Sequence, residues 1–139
     1  MVNLVVVSHS AMLAEGVKEL ADSMGNETVA VLAVGGIADG AGGYRLGTDA
    51  VRICAAIEEV WSDAGVLLLV DLGSAVLSAK LALDLLPPEM RETCVISNAP
   101  LVEGAAIAAL EASLGHPLPV VNQAAESACQ FEKVTRDPQ

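Results

Sequence analysis

Residues 2–10 read Val-Asn-Leu-Val-Val-Val-Ser-His-Ser, a nearly continuous aliphatic run that ends abruptly in polar side chains. Three further aliphatic runs occupy residues 29–34, 66–70 and 93–97. Continuous aliphatic runs, as opposed to alternating ones, are typical of parallel strands covered on both faces. We therefore predict four buried parallel strands at these positions.

The segments between these runs have the apolar spacing of amphipathic helices. The first ends at Gly25, the second before Gly65 and the third at Pro87-Pro88, while the fourth opens at Pro100 as a predicted first helical residue. The order β-α-β-α-β-α-β-α predicts an α/β fold, an open, mainly parallel four-stranded sheet with helices on both faces.

The alternation of predicted strands and helices indicates one domain followed by a short tail. Residues 1–131 are predicted to form a single domain, in which residues 117–131 hold one more helix. Residues 132–139 are predicted to be a flexible C-terminal tail. Aromatic residues make up only 2% of the chain, so Ala, Val, Leu and Ile must supply the core.

Charge and apolar runs exclude several classes of protein. The net charge is −11 with only seven Lys and Arg residues, so binding to nucleic acid is not expected. The strongly apolar run 66–70 stops at Asp71, and no basic segment precedes the first run, so neither a membrane span nor a signal peptide is expected. Cys54, Cys94 and Cys129 lack metal-like spacing and predict reduced thiols in a cytoplasmic protein.

Polar residues follow each predicted strand, at the edge where ligands bind in such folds. Ser8-His9-Ser10 follows the first strand, Gly35-Gly36 the second, residues 71–74 the third and residues 97–100 the fourth. The sequence thus collects a histidine, a carboxylate, hydroxyls and glycine backbone at one edge of the sheet.

His9 is the predicted catalytic nucleophile. Neutral imidazole is nucleophilic, and Ser10 with the following backbone amides would open a helix suited to an anion. Asp71 could accept a hydrogen bond from one ring nitrogen and leave the other free to attack. A purely structural role is also open, with His9 as a packed polar residue and Asp71 or Ser74 as a helix cap.

Two other features of the sequence are candidate binding sites. The glycine-rich stretch 35–47 is predicted to be a mobile loop, and it matches neither glycine-rich phosphate-binding motif. His116 follows a helix-ending glycine and has no second His or Cys pair near it, so we predict a surface residue and no metal site.

The motifs in order resemble the mannose-type EIIA family of the phosphoenolpyruvate-dependent phosphotransferase system (PTS). The resemblance rests on residues 5–10 with Ala14-Glu15-Gly16, and on residues 70–75. Gly47-Thr48-Asp49, Gly73-Ser74-Ala75 and residues 98–105 are most similar to one branch, the phosphotransferase (DhaM) subunits of PTS-dependent dihydroxyacetone kinases.

This resemblance implies a phosphohistidine carrier without a cofactor. His9 would take a phosphoryl group from the phosphocarrier HPr and donate it to ADP bound on the DhaL subunit, while DhaK holds dihydroxyacetone. Asp71 would orient His9, and Ser10, Thr48 and Ser74 would line the phosphoryl pocket, with Gly35 and Gly36 nearby. The family is typically homodimeric. Some members are fused to phosphocarrier and enzyme I-like domains, and a chain of 139 residues would instead depend on separate donors.

Three alternatives stay open at this point. An EIIA component of a mannose-type sugar transporter would pass the phosphoryl group to an EIIB partner, although the Phe-Gly-Gly-Ser-Pro-Phe-Asn pattern of those proteins is missing. A regulatory or binding domain would use His9 only as a sensor or cap. A flavin- or nucleotide-binding domain would need aromatic stacking surfaces, and only Tyr44, Trp61 and Phe131 are available.

Overall fold

The computed structural model describes residues 1–138. In chain order its elements are β1 (Asn3–Ser8), α1 (Ala11–Met24), β2 (Val31–Gly35), β3 (Ile37–Ala38), β4 (Tyr44–Arg45), α2 (Ala50–Val60), β5 (Val66–Val70), α3 (Gly73–Asp84), α4 (Pro88–Arg91), β6 (Cys94–Ile96), α5 (Leu101–Ser113) and α6 (Leu118–Glu126), followed by a 3-10 helix (Ser127–Gln130).

The central sheet has the order β2-β1-β5-β6, and its three strand pairs are all parallel. Helices cover both faces, which confirms the predicted fold class. The chain leaves β1 toward β2 on one side and later returns to β5 on the other side. The carboxyl end of β1 is therefore the switch point of the sheet, the place where open α/β sheets bind ligands.

Each face of the sheet has its own hydrophobic cluster. Leu4 and Val6 of β1 pack with helices α1, α5 and α6, whereas Val5 and Val7 pack with α2 and α3. All four side chains have no exposed surface. The two-sided burial is the physical reason why this strand is continuously aliphatic.

The helices reach the sheet through small residues. Ala75, Ala79 and Ala82 of α3 are fully buried, and so are four alanines of α5 (Ala105, Ala108, Ala109 and Ala112). Side chains of this size bring the helix axis close to the strands, which is how a core almost without aromatic residues is filled.

Several boundaries differ from the predictions. The predicted mobile loop 35–47 contains the antiparallel hairpin β3–β4, in which Asp39 Oδ1 accepts from the N–H groups of Ala41 (2.7 Å) and Gly43 (3.0 Å). Pro100 is the N-cap of α5, with extended backbone (φ −61°, ψ 137°), and is not its first residue. The predicted last helix is α6 with the 3-10 helix, and the short α4 was not predicted.

Residues 132–138 form neither helix nor strand, and the last residue of the predicted tail, Gln139, lies outside the described residues. None of the helices within residues 1–138 has the length and apolar character needed to cross a membrane.

Two helical glycines give a test of the packing. A methyl group at Gly104 of α5 would lie 2.5 Å from Ala99 Cβ and 3.3 Å from Leu69 Cδ2, whereas one at Gly16 of α1 would have no atom within 4 Å. We expect Gly104→Ala to lower the free energy of unfolding by about 1–3 kcal/mol through overpacking. Gly16→Ala should raise it by up to about 1 kcal/mol, because alanine is the better helix former.

Denaturant unfolding of the two variants beside the parent chain measures both changes. A stabilising Gly104→Ala would contradict the close approach of α5 to Ala99.

Candidate active site

His9 lies directly after β1, between the strand and helix α1. Its carbonyl oxygen accepts a hydrogen bond from the backbone N–H of Gly47 (2.9 Å). Ser10 follows as the N-cap of α1, with extended backbone, and its Oγ accepts from the N–H of Leu13 (3.2 Å). Because Ser10 caps the helix, the backbone stays extended up to this residue and the helix begins only after His9. The His9 side chain therefore lies at the edge of the sheet, and 25% of its surface is exposed.

Asp71 follows β5 and binds the His9 residue twice. Its Oδ1 lies 2.9 Å from His9 Nδ1, and its Oδ2 accepts from the His9 backbone N–H at 2.9 Å. The Ser8 hydroxyl donates to Oδ2 (2.9 Å) and the Leu72 N–H to Oδ1 (2.7 Å). The carboxylate therefore ties the ends of two neighbouring strands together and fixes the orientation of the ring.

The surroundings of Asp71 set its charge. Burial raises the pKa of the Asp71 carboxyl, but the hydrogen bonds from the His9 backbone and ring, the Ser8 hydroxyl and the Leu72 backbone together outweigh it. The pKa consequently lies below the usual range of an aspartate, since these donors stabilise the ionised form. Asp71 is an anion at neutral pH.

An ionised Asp71 determines the tautomer of the neutral His9 ring. A carboxylate can only accept, so Nδ1 carries the proton and Nε2 keeps its lone pair. The Ser74 Oγ lies 2.7 Å from Nε2 and donates to it in this tautomer. Asp71, His9 and Ser74 form a row in which Nε2 is the unprotonated ring nitrogen.

Ser74 belongs to the first turn of α3, whose start is suited to an anion. The N-cap of this helix is Leu72, which offers no side-chain hydrogen bond to the first turn. First-turn N–H groups without a side-chain acceptor, together with the helix dipole, favour negative charge. A group bound to His9 Nε2 would replace the Ser74 contact at this helix end.

The other residues predicted for the phosphoryl pocket make their hydrogen bonds and packing contacts with groups other than the His9 ring. Gly36 donates its N–H to the Ser8 carbonyl (3.2 Å), and Gly35 packs on the backbone of Ser10. Thr48 Oγ1 is hydrogen-bonded to Ser78 Oγ (2.6 Å) on α3. Their part in binding a phosphoryl group stays a prediction.

Ser8 was predicted only as one of the hydroxyls at the sheet edge, and the structure gives it a specific place in the site. Its side chain is fully buried, donates to Asp71 and accepts from the Ser10 N–H (3.0 Å). A hydroxyl at the end of a buried aliphatic strand needs a partner, and that requirement was the available signal. Within residues 1–138 no group of three or more His, Cys, Asp or Glu side chains is arranged to hold a metal ion.

The hydrogen bonds of Asp71 predict its behaviour in acid. Because the folded-state pKa is lowered, the stability that Asp71 contributes is present above the pKa of the unfolded chain and is lost as the pH falls through the folded pKa. Ser8→Ala removes one donor, so the pKa of Asp71 should rise toward the ordinary range.

Carboxyl chemical shifts recorded during an acid titration measure this change. Ser10→Ala is the matched control, because the Ser10 hydroxyl caps α1 and does not touch the carboxylate. An equal shift in both variants would contradict the role given to Ser8.

Comparisons with known proteins show the family of this chain. A model of the EIIA-man family, described as "PTS system fructose IIA component", matches residues 3–121. A relative from Providencia stuartii, "PEP-dependent dihydroxyacetone kinase, phosphoryl donor subunit DhaM", is 40% identical over 134 residues, which are 96% of this chain and 28% of that protein. A Pantoea ananatis protein of the same name is 46% identical over 92% of this chain and 27% of its own length. This chain thus spans less than a third of these relatives.

Shorter relatives match over most of their length. The Listeria innocua protein "PEP-dependent dihydroxyacetone kinase 2, phosphoryl donor subunit DhaM" is 42% identical, over 84% of this chain and 90% of its own length. Among solved structures, "unknown function protein EF1359" superposes with a TM-score of 0.76 at 36% identity, covering 91% of this chain and 94% of that one.

Proposed function

We propose that this chain, which belongs to the EIIA-man family of phosphotransferase-system components, carries a phosphoryl group on Nε2 of His9 as the phosphoryl donor of a dihydroxyacetone kinase. The observation that carries the proposal is the row Asp71–His9–Ser74. In this row the Nδ1–H group of His9 donates to the carboxylate of Asp71, and the lone pair of Nε2 lies at the sheet edge. Residues 1–131 act as one phosphotransfer unit in this proposal.

Uptake of the phosphoryl group is an in-line exchange between two histidines. The Nε2 lone pair of His9 forms a bond to phosphorus, while the P–N bond of the phosphorylated donor breaks and its electron pair returns to the donor ring. The Nδ1 proton stays on His9, and the ionised Asp71 compensates the positive charge that the ring gains. Ser74 turns its hydroxyl from Nε2 to a phosphoryl oxygen.

Release reverses these steps toward a different acceptor. An oxygen of the terminal phosphate of ADP attacks phosphorus, the P–N bond breaks, and its electrons return to Nε2, so that ATP forms. HPr is the proposed donor and DhaL with bound ADP the proposed acceptor, while DhaK in the same system holds dihydroxyacetone. The names of the DhaM relatives support this assignment over a sugar-transporter EIIA.

The surface around His9 is suited to protein partners. Met12, Leu46 and Leu72 lie close to it in the chain or in the fold and are 86%, 77% and 62% exposed. Exposed apolar side chains grouped beside a reactive residue are typical of docking surfaces. The net charge of −11 would steer a basic partner toward the chain.

The proposed function predicts uptake and release of one phosphoryl group at His9. Incubation with phosphoenolpyruvate, enzyme I and HPr should add one acid-labile phosphoryl group by intact mass, and DhaL loaded with ADP should remove it. His9→Ala should abolish uptake, whereas His116→Ala, at a surface histidine paired with Glu111, should take up the group normally. Asp71→Ala should slow transfer by about 100-fold or more, because the tautomer is no longer held.

The outcomes separate the alternatives. Uptake without loss to DhaL would favour a sugar-transporter EIIA, and no uptake would leave His9 as a sensor or cap. Nitrogen-15 shifts of the phosphorylated ring identify the atom; modification at Nδ1 would contradict the assigned roles. Unchanged kinetics in Asp71→Ala would contradict its orienting role.

A homodimer is also part of the proposal. Leu77 and Leu81 on the exposed face of α3 and its C-cap Leu85 are spaced by four residues and are 67%, 58% and 59% exposed. An exposed apolar stripe on a helix is stabilised when it packs against another surface. In a dimer with two-fold symmetry, the stripes of both copies would be buried in the same interface.

Light scattering after size-exclusion chromatography tests the dimer. We expect a dimer for the parent chain and a monomer for Leu81→Glu, since a buried carboxylate disfavours the contact. Leu20→Glu, at a leucine 50% exposed on α1 across the sheet, is the control and should stay dimeric. A dimeric Leu81→Glu would place the interface elsewhere.

A further inference from the structure

We propose that Arg52 is a positioning residue for phosphoryl transfer, which holds the hairpin β3–β4 against the His9 site. The effect on transfer rests on the function proposed above. The effect on the hairpin rests only on contacts within the chain, so the two can fail separately.

Arg52 joins helix α2 to both arms of the hairpin. It lies in the first turn of α2, and its Nη1 donates to the carbonyl oxygens of Gly35 (3.1 Å) and Gly36 (2.9 Å), where the chain leaves β2. Its Cζ lies 4.8 Å from the ring centroid of Tyr44 on the returning strand. A planar, permanently charged guanidinium can make both kinds of contact at once.

The hairpin in turn contacts the backbone of the site. Gly36 donates its N–H to the Ser8 carbonyl (3.2 Å), and Gly47 donates to the His9 carbonyl (2.9 Å). Gly36 has a positive φ of 69°, and a methyl group there would lie 2.9 Å from the Arg45 carbonyl oxygen. The two arms therefore lie close to each other, and the glycines that flank them are hydrogen-bonded to the backbone of Ser8 and His9.

The hairpin is small and largely exposed to solvent. Its strands contain two residues each, and residues 38–42 and 44–46 are exposed. An isolated two-stranded hairpin is marginally stable in water. Without the guanidinium the hairpin would leave the site more often, and the hydrogen bond on the His9 carbonyl would open with it.

Such opening would slow the chemistry without unfolding the protein. The orientation of the His9 ring depends on the position of the His9 backbone as well as on Asp71. When the hydrogen bond to the His9 carbonyl opens, the backbone can shift and Nε2 is no longer in line with the phosphorus atom. Small misplacements of a reacting atom lower transfer rates steeply.

The test compares phosphoryl uptake and amide hydrogen exchange in Arg52 variants of the whole chain. In Arg52→Met, which keeps the aliphatic stem, we expect uptake from HPr to be about tenfold slower. Exchange at the Gly36 and Gly47 amides should be about tenfold faster, because local opening sets their protection. The core amides of Leu67 to Leu69 should keep their protection. Arg52→Lys retains the charge but not the planar fork, so both values should be intermediate.

Arg91→Met is the matched control. Arg91 also donates to two carbonyls, those of Leu83 (3.1 Å) and Leu86 (3.2 Å), but at the far end of α3. Its loss should change neither uptake nor the exchange of Gly47.

Three results would overturn the proposal. Parent-like exchange at Gly47 in Arg52→Met would show that Arg52 does not hold the hairpin. Slow uptake with unchanged exchange would mean that Arg52 acts directly on the donor or on the phosphoryl group. Faster exchange with unchanged uptake would mean that the hairpin does not position His9. If the parent chain takes up no phosphoryl group, the proposed function fails, and exchange at Gly47 still decides whether Arg52 holds the hairpin.

Discussion

The hydrogen bonds of the Asp71 carboxylate connect the central sheet to the candidate site, and the geometry of the site depends on them. It accepts hydrogen bonds from the Ser8 hydroxyl, the His9 backbone and ring, and the Leu72 backbone, and so joins the ends of β1 and β5. This depends on register, since Val7 pairs with Val70 and the next residues of the two strands are Ser8 and Asp71. A slip of one residue would turn Val5 and Val7 to the opposite face and separate His9 from Asp71.

The small residues of the core serve the same arrangement. Fully buried alanines bring α3 and α5 close to the strands, and the first turn of α3 then places Ser74 at 2.7 Å from His9 Nε2. Larger side chains in this layer would move the helix end away from the ring. The near absence of aromatic residues is thus consistent with a site built from helix and strand ends.

The region 35–47 shows how tertiary contacts change a local prediction. Its glycines predict mobility, and the exposed turn around Gly40 and Gly42, both with positive φ, has no core of its own. The side chain of Asp39 closes the turn, and Arg52 reaches the segment from a helix that begins later in the chain. The result is a short hairpin over the sheet edge.

The sequence by itself determined the fold class, the four parallel strands and the edge at which His9 and Asp71 meet. It could do so because two-sided burial leaves continuous aliphatic runs, and parallel strands bring their carboxyl ends together. Only the tertiary structure decided which atoms form hydrogen bonds. His9 Nδ1 contacts the Asp71 carboxylate and Nε2 contacts Ser74, while the buried Ser8 donates to Asp71 and Thr48 pairs with Ser78. These contacts join residues 30 to 65 positions apart, and their geometry depends on strand register and helix placement, which no local pattern contains.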